Sequence, residues 1–194
     1  MRTLVVVLVL VVASLSACAS ESGSDGGGAS GDEASGDATM SSESGDASGC
    51  ESGPLAAPIP GCMPVPPAST GDPAQDCVDR INQFRWECQC LPPLARWTDA
   101  EMCSDDQSGS DQMSGAPHGN FGMCGESAQN TCPDWPSETD VVVGCLQAMW
   151  DEGPGEPFEA HGHYINMSNL AYSKVACGFS ASGQGVWANQ NFSP

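Results

Sequence analysis

Between Cys77 and Pro194 the apolar side chains recur at two periods. Val78, Ile81 and Phe84 fall three residues apart, the spacing of one helical face, and predict a helix from Cys77 to about Trp86 that stops before Pro92-Pro93. Val141, Val142, Cys145, Leu146 and Met149 form a fuller stripe in the clearest helix of the chain. Ser137 is placed to cap that helix, Glu138 and Asp140 suit its positive end, and Gly153-Pro154 closes it. Thr98 and Glu101 make a capping-box pattern that opens another helix. Lys174 to Ser180 and Gly185 to Phe192 read as strands of small and β-favouring residues, joined through Ala181-Ser182-Gly183-Gln184 in a hairpin. Residues 107–136, rich in Gly, Ser and Pro, read mainly as loops.

Upstream the pattern is different. Arg2 followed by the apolar run from Leu4 to Leu15 is too short for a bilayer span, which needs about 20 residues, and residues 1–17 read as a signal peptide. The run ends in Leu15-Ser16-Ala17-Cys18, which resembles a bacterial lipobox and makes Cys18 the candidate lipidation site. Ala19 after the cysteine favours sorting to the outer membrane or cell surface over the inner membrane. Residues 18–76 read as a linker: Ser, Gly, Ala, Asp and Glu without an aromatic residue to about Gly53, then seven prolines between Pro54 and Pro73. As a Gly/Ser coil the span from Cys18 to Gly61 reaches about 35–40 Å. All the aromatic residues fall in 77–194, so one hydrophobic core is expected there.

Composition narrows the functions. With 25 acidic against 5 basic residues the chain carries a formal charge of −20, which repels phosphate backbones and excludes nucleic acid as a partner. Attachment to a membrane would come from the N-terminal lipid alone. Of the 11 cysteines, setting Cys18 aside leaves an even number in an exported chain, the pattern of a disulfide framework. Cys50 and Cys62 are paired on proximity; Cys88 and Cys90 are expected in two separate bridges rather than in a metal clip.

The order of parts in 77–194 resembles the CAP superfamily, the cysteine-rich secretory and plant pathogenesis-related proteins with their bacterial relatives (SCP-like domains). Asn82-Gln83-Phe84-Arg85, Leu91-Pro92-Pro93-Leu94 and Trp97 are similar to the family's opening helix and turn. Leu146 to Glu152 is similar to its acid-bearing helix, with Met149 where the family usually has tryptophan. Gly162-His163-Tyr164 resembles the Gly-His-Tyr signature, with Asn166 after it, and Val175-Ala176-Cys177-Gly178 and Trp187 to Phe192 resemble the last two strands. The sequence departs from the pattern at Ser127, where the family has asparagine, in an extra residue between Leu94 and Trp97, in the Gly/Pro loop before His118, and in a short segment ahead of Glu126. The resemblance implies an α+β fold, a three-layer α-β-α sandwich stapled by disulfides, and a cavity tetrad of His118, Glu126, Glu152 and His163.

Two imidazoles and two carboxylates are candidate ligands for zinc or another divalent cation; without metal they would form a hydrogen-bonded Glu-His network. His161, beside the signature, reads as a solvated loop residue. Three functions follow. The first is a lipid-anchored, monomeric, non-enzymatic binding module outside the cytoplasm, taking a small apolar ligand, an ion or a protein partner. The second is a metal-assisted, peptidase-like hydrolase with Glu126 or Glu152 as general base. The third is an envelope structural protein. No Gly-x-Ser-x-Gly nucleophile elbow occurs, and the thiols are expected in bridges, which favours the first.

Overall fold

The computed structural model describes residues 50–194; the segment read as a signal peptide, the candidate lipidation site Cys18 and the Ser/Gly stretch read as a linker to residue 49 lie outside the described residues. Four strands form one sheet in the order β1-β3-β4-β2, where β1 is Ala95–Arg96, β2 Ala128–Trp135, β3 Lys174–Ser182 and β4 Gly185–Ser193. β4 lies centrally, antiparallel to both β3 and β2, while the short β1 runs parallel to β3 at the edge. One helix, α2 (Thr98–Ser114), covers one face. The opposite face carries α1 (Pro73–Gln83), α3 (Glu138–Asp140), α4 (Leu146–Asp151) and α5 (Phe158–Ser168). This is the expected three-layer α-β-α sandwich.

The first helix starts at Pro73, four residues before the expected start at Cys77. Asp72 caps it, accepting from the Ala74 and Gln75 N–H groups at 3.1 and 3.3 Å, and Pro73 occupies the first turn, where its missing N–H costs nothing. The helix then widens into a π-helical stretch, Phe84–Cys88, and α3 passes into α4 through a second, Val141–Cys145. The expected Ser137 cap is present, its Oγ accepting from Asp140 N–H at 3.1 Å, and the whole stripe from Val141 to Met149 is buried. Phe84 stacks on Trp150, whose ring meets Tyr164 edge-on at 5.0 Å. With Ile81, Leu146, Met167, Val175 and Phe192 these residues make the core.

Three expectations are corrected. Thr98 is the first helical residue and forms no capping box: Trp97 stands at the cap without a side-chain bond, and Glu101 is taken instead by Arg96 in a two-point ion pair at 2.6 and 2.9 Å. Residues 107–136 are not mainly loop, since α2 runs on to Ser114 and β2 fills Ala128–Trp135. His161 sits on α5 and its Nδ1 bonds the Glu152 and Gly153 carbonyls at 2.7 and 2.9 Å, so it pins the loop before its own helix rather than facing solvent in a loop.

Five disulfides join Cys50–Cys90, Cys62–Cys88, Cys77–Cys177, Cys103–Cys124 and Cys132–Cys145. Cys88 and Cys90 do enter separate bridges, but the proximity pairing of Cys50 with Cys62 is wrong: each crosses to one of them. Nearness in sequence lost to the path of the chain, because the proline-rich segment lies along α1. There Leu55 N–H bonds Gln89 O, Ile59 N–H bonds Cys88 O, and Arg80 and Gln83 donate to the Pro64 and Val65 carbonyls. Bridges of this number belong to an oxidising compartment. Among the described residues no helix is long and apolar enough to cross a membrane.

Candidate functional site

α5 and the loop between α2 and β2 flank a cavity of about 710 Å³ lined on its polar side by His118, Gln129, His163 and Asn166. Phe121, Phe158, Ile165 and Tyr172 supply its apolar walls, and Glu159 stands on its border. His163 reaches it from the middle of α5, a helix held in place at its far end by Arg85. That guanidinium is fully buried without a carboxylate partner and donates instead to the carbonyls of Pro92, Met167 and Asn169 at 2.8, 2.7 and 3.2 Å. Burial pushes its pKa down to about 10. The carbonyl end of α5 partly compensates the charge.

Glu152, just past α4, faces α5. Its Oε1 lies 2.5 Å from His163 Nδ1, and its Oε2 accepts from the His163 and Tyr164 N–H groups at 3.0 and 3.4 Å. The carboxylate therefore satisfies backbone donors of α5 and orients the imidazole at once. The His163 side chain remains 37 % exposed.

His118 is held differently. Its backbone is left-handed at φ 63°, a conformation that costs a non-glycine residue energy and needs support. Asp111 of α2 provides it, with one oxygen accepting from His118 N–H at 3.2 Å and the other from Gly119 N–H at 3.0 Å. The His118 ring bonds across to β2, Nδ1 lying 2.8 Å from Gln129 Oε1 and 3.4 Å from Thr131 Oγ1.

Glu126 does not line this cavity. It is buried, and its Oε1 accepts from Gly122 N–H at 2.6 Å and Gln107 Nε2 at 2.7 Å, its Oε2 from Cys124 N–H at 2.9 Å. It closes the loop that carries His118. Of the four tetrad residues, then, the two histidines meet in one cavity, Glu152 stands behind one of them, and Glu126 is turned into the α2 layer. Among the described residues no three His, Cys, Asp or Glu side chains are grouped as metal ligands would be. As placed, His118, Glu126, Glu152 and His163 do not fit a divalent ion: both carboxylates are committed to N–H donors, and two imidazoles alone fall short of the three protein ligands of a catalytic zinc.

No family model and no curated protein matches the chain. Among solved structures, the one titled "Structure of BmVAL-1" aligns at 15 % identity and a TM-score of 0.48, over 69 % of this chain and 81 % of that one.

Sequence reasoning missed the residues that hold the site together. Gln107, Asp111, Gln129, Thr131, Asn189 and Asn191 are all buried, and their amides and carboxylate join α2 to β2 and β4. The signal was present. Ala100, Ser104, Gln107, Ser108 and Asp111 recur at helical spacing, but as a stripe of small and polar residues it does not register in a search for apolar ones.

Proposed function

We propose that residues 50–194 are a CAP-type, non-enzymatic binding module that takes a small ligand with an apolar body in the cavity between His118 and His163. One observation carries the reading: imidazoles from two separate elements line the same hollow, and Phe121, Phe158, Ile165 and Tyr172 give it an apolar side beside a few polar groups. A few placed polar groups in an apolar recess is the common form of a ligand site. The five bridges support work outside the cytoplasm, and the lipobox-like Leu15 to Cys18 supports a tether to the bacterial envelope, a part of the reading that rests on sequence alone.

The test uses a Cys18→Ser chain, which cannot be acylated, with its bridges intact. Saturable enhancement of a neutral apolar dye such as Nile red, lost in Ser127→Trp, is expected, because Ser127 lines the cavity and its side chain makes no hydrogen bond among the described residues that the change would break. No saturable binding, or binding indifferent to Ser127→Trp in a variant that keeps its near-ultraviolet circular dichroism, would overturn the proposal. Labelling with a radioactive fatty acid tests the anchor: incorporation into the natural chain and none into Cys18→Ser is expected.

A second reading has one observation in its favour, the Glu152–His163 pair. A carboxylate that orients an imidazole is the second half of a general-base arrangement, and a hydrolase built here would use His163 as the base rather than Glu126 or Glu152. Ester or peptide turnover that disappears with His163→Gln while the fold is kept would promote it.

A further inference from the structure

Deepening the binding reading above, we infer that His118 and His163 both turn a bare Nε2 lone pair toward the cavity, so that its ligand is an organic ammonium ion with an apolar or aromatic body. The inference starts from groups that can only accept. Glu126 Oε1 and the Asn120 carbonyl both receive bonds from Gln107 Nε2, at 2.7 and 2.8 Å, which fixes that amide with its oxygen pointing away from them. Gln107 Oε1 must then meet donors, and it does: Gln129 Nε2 at 3.0 Å and Asn191 Nδ2 at 2.6 Å. Asn191 turns its own oxygen to Gln129 Nε2 at 2.9 Å. Gln129 is left with Oε1 toward His118, so His118 Nδ1 must carry the hydrogen.

A second chain of bonds ends at the same atom. Asp111 Oδ2 receives Asn189 Nδ2 at 3.0 Å, Asn189 Oδ1 receives the Thr131 hydroxyl at 2.8 Å, and the Thr131 oxygen is left as an acceptor facing His118 Nδ1. Two buried carboxylates thus require the same tautomer through separate relays. At His163 the requirement is direct, since Nδ1 faces the Glu152 carboxylate. In the neutral rings both Nε2 atoms are acceptors, and neither has a hydrogen-bond partner among the described residues.

Acceptors of this kind repel a carboxylate or phosphate and attract a donor. Neither lysine nor arginine lines the cavity, whereas Glu159 does, and the chain as a whole carries −20. Phe121 and Phe158, each about half exposed at 51 % and 54 %, offer ring faces at the cavity wall on which an ammonium group gains further attraction and an apolar body finds cover.

The experiment pairs ring spectroscopy with three probes of equal shape and different head: 2-phenylethylamine, 2-phenylethanol and phenylacetate, titrated into the Cys18→Ser chain. Long-range proton–nitrogen spectra of the neutral rings should show hydrogen on Nδ1 of both His118 and His163. The amine should bind at least about tenfold more tightly than the alcohol, with the carboxylate weakest. Gln129→Leu combined with Thr131→Val, which removes the last acceptor of both relays, should shift His118 toward the Nε2–H form, leave His163 unchanged and shrink the preference for the amine. If that variant fails to fold, the ring spectra of the natural sequence decide the tautomers alone.

Hydrogen on Nε2 of either ring, or an amine no better than the alcohol, overturns the inference while the binding module stands, provided the probes and Nile red still compete for one site closed by Ser127→Trp. Tight one-to-one zinc binding that the amine cannot displace overturns it in favour of a metal site. Failure of every probe and of the dye removes the binding module itself.

Discussion

The two faces of the sheet are packed by opposite means. On β4, Val186, Ala188 and Phe192 point toward α1, α4 and α5, while Asn189 and Asn191 point toward α2. The same alternation divides β2, with Ala128 and Cys132 on one side and Gln129 and Thr131 on the other. The first face is largely apolar, with Asn130 and Gln190 as buried amides among its Val, Ala, Cys and Phe side chains, and is held mainly by removal of apolar area from water. The second is dry but polar. Ser104 and Ser108 return their hydroxyls to the Ala100 and Ser104 carbonyls of their own helix, and Ser108 also meets Gly178 O and Asn189 N–H. Because small hydroxyls replace large side chains, α2 comes so near the sheet that a Cβ on Gly178 would lie 2.1 Å from the Ser104 carbonyl carbon. An apolar layer tolerates sliding and repacking; a layer of amides in fixed orientation does not, since each misdirected group would lose its partner. The polar layer therefore suits the setting of one imidazole tautomer, and the apolar layer supplies the stability that lets it exist.

Four measurements of chemical denaturation would sharpen or break that contrast. The largest loss is expected for Phe84→Ala on the apolar side, about 4 kcal/mol, since it empties the space between Ile81 and the Trp150 ring. Gly178→Val should cost about 3 kcal/mol by forcing α2 off the sheet, with a change in the cavity spectrum of His118; tolerance of valine there would mean that the close approach is not required. Gln107→Leu is nearly equal in volume, so an apolar layer would accept it. Here it should cost about 2 kcal/mol, because Glu126, Gln129 and Asn191 each lose a partner, and a neutral result would show that the buried amides contribute nothing.

The smallest effect belongs to neither layer. Asp72→Ala should cost about 1 kcal/mol through the lost cap of α1. The Arg96 guanidinium beside Asp72, assisted by the Gln75 and Ala74 N–H groups, holds its carboxyl below the usual carboxylate range. The unfolded chain binds that proton more readily. The contribution is therefore whole above the ordinary carboxylate pKa and fades as pH falls through it toward the depressed value. A flat acid limb in the natural protein, matching that of Asp72→Ala, would refute it. Asp72 is half exposed, so the difference should be slight.

Much of the apolar layer was legible. The Val141 to Met149 stripe, the Ser137 cap and the last two strands follow from spacing and side-chain size, and the structure has them where expected. Of the proposed tetrad, His163 and Glu152 could be read from the segments around them and do meet. The rest was hidden for one reason: local patterns report where apolar groups go and are silent about polar groups that become buried. α2 beyond Gln107 looked like a loop because its inward stripe is Ser104, Gln107, Ser108 and Asp111. β2 looked like a loop because its inward residues are amides and a threonine, and it is a strand only by virtue of pairing with β4. Cys50 and Cys62 are near in sequence, yet their partners Cys90 and Cys88 are set by the path of the proline-rich segment along α1, which no local pattern reports.

From the sequence alone came the apolar helix stripe, the last two strands and the presence of a disulfide framework, since periodicity and counting are properties of the chain itself; the class of fold and the candidate histidines came through the family resemblance that its motifs carry. Which cysteine meets which, which carboxylate stands behind which imidazole, and which ring nitrogen faces the cavity were decided by tertiary structure. A buried donor must find an acceptor, and that acceptor lies on another element, brought near only when the apolar face has closed.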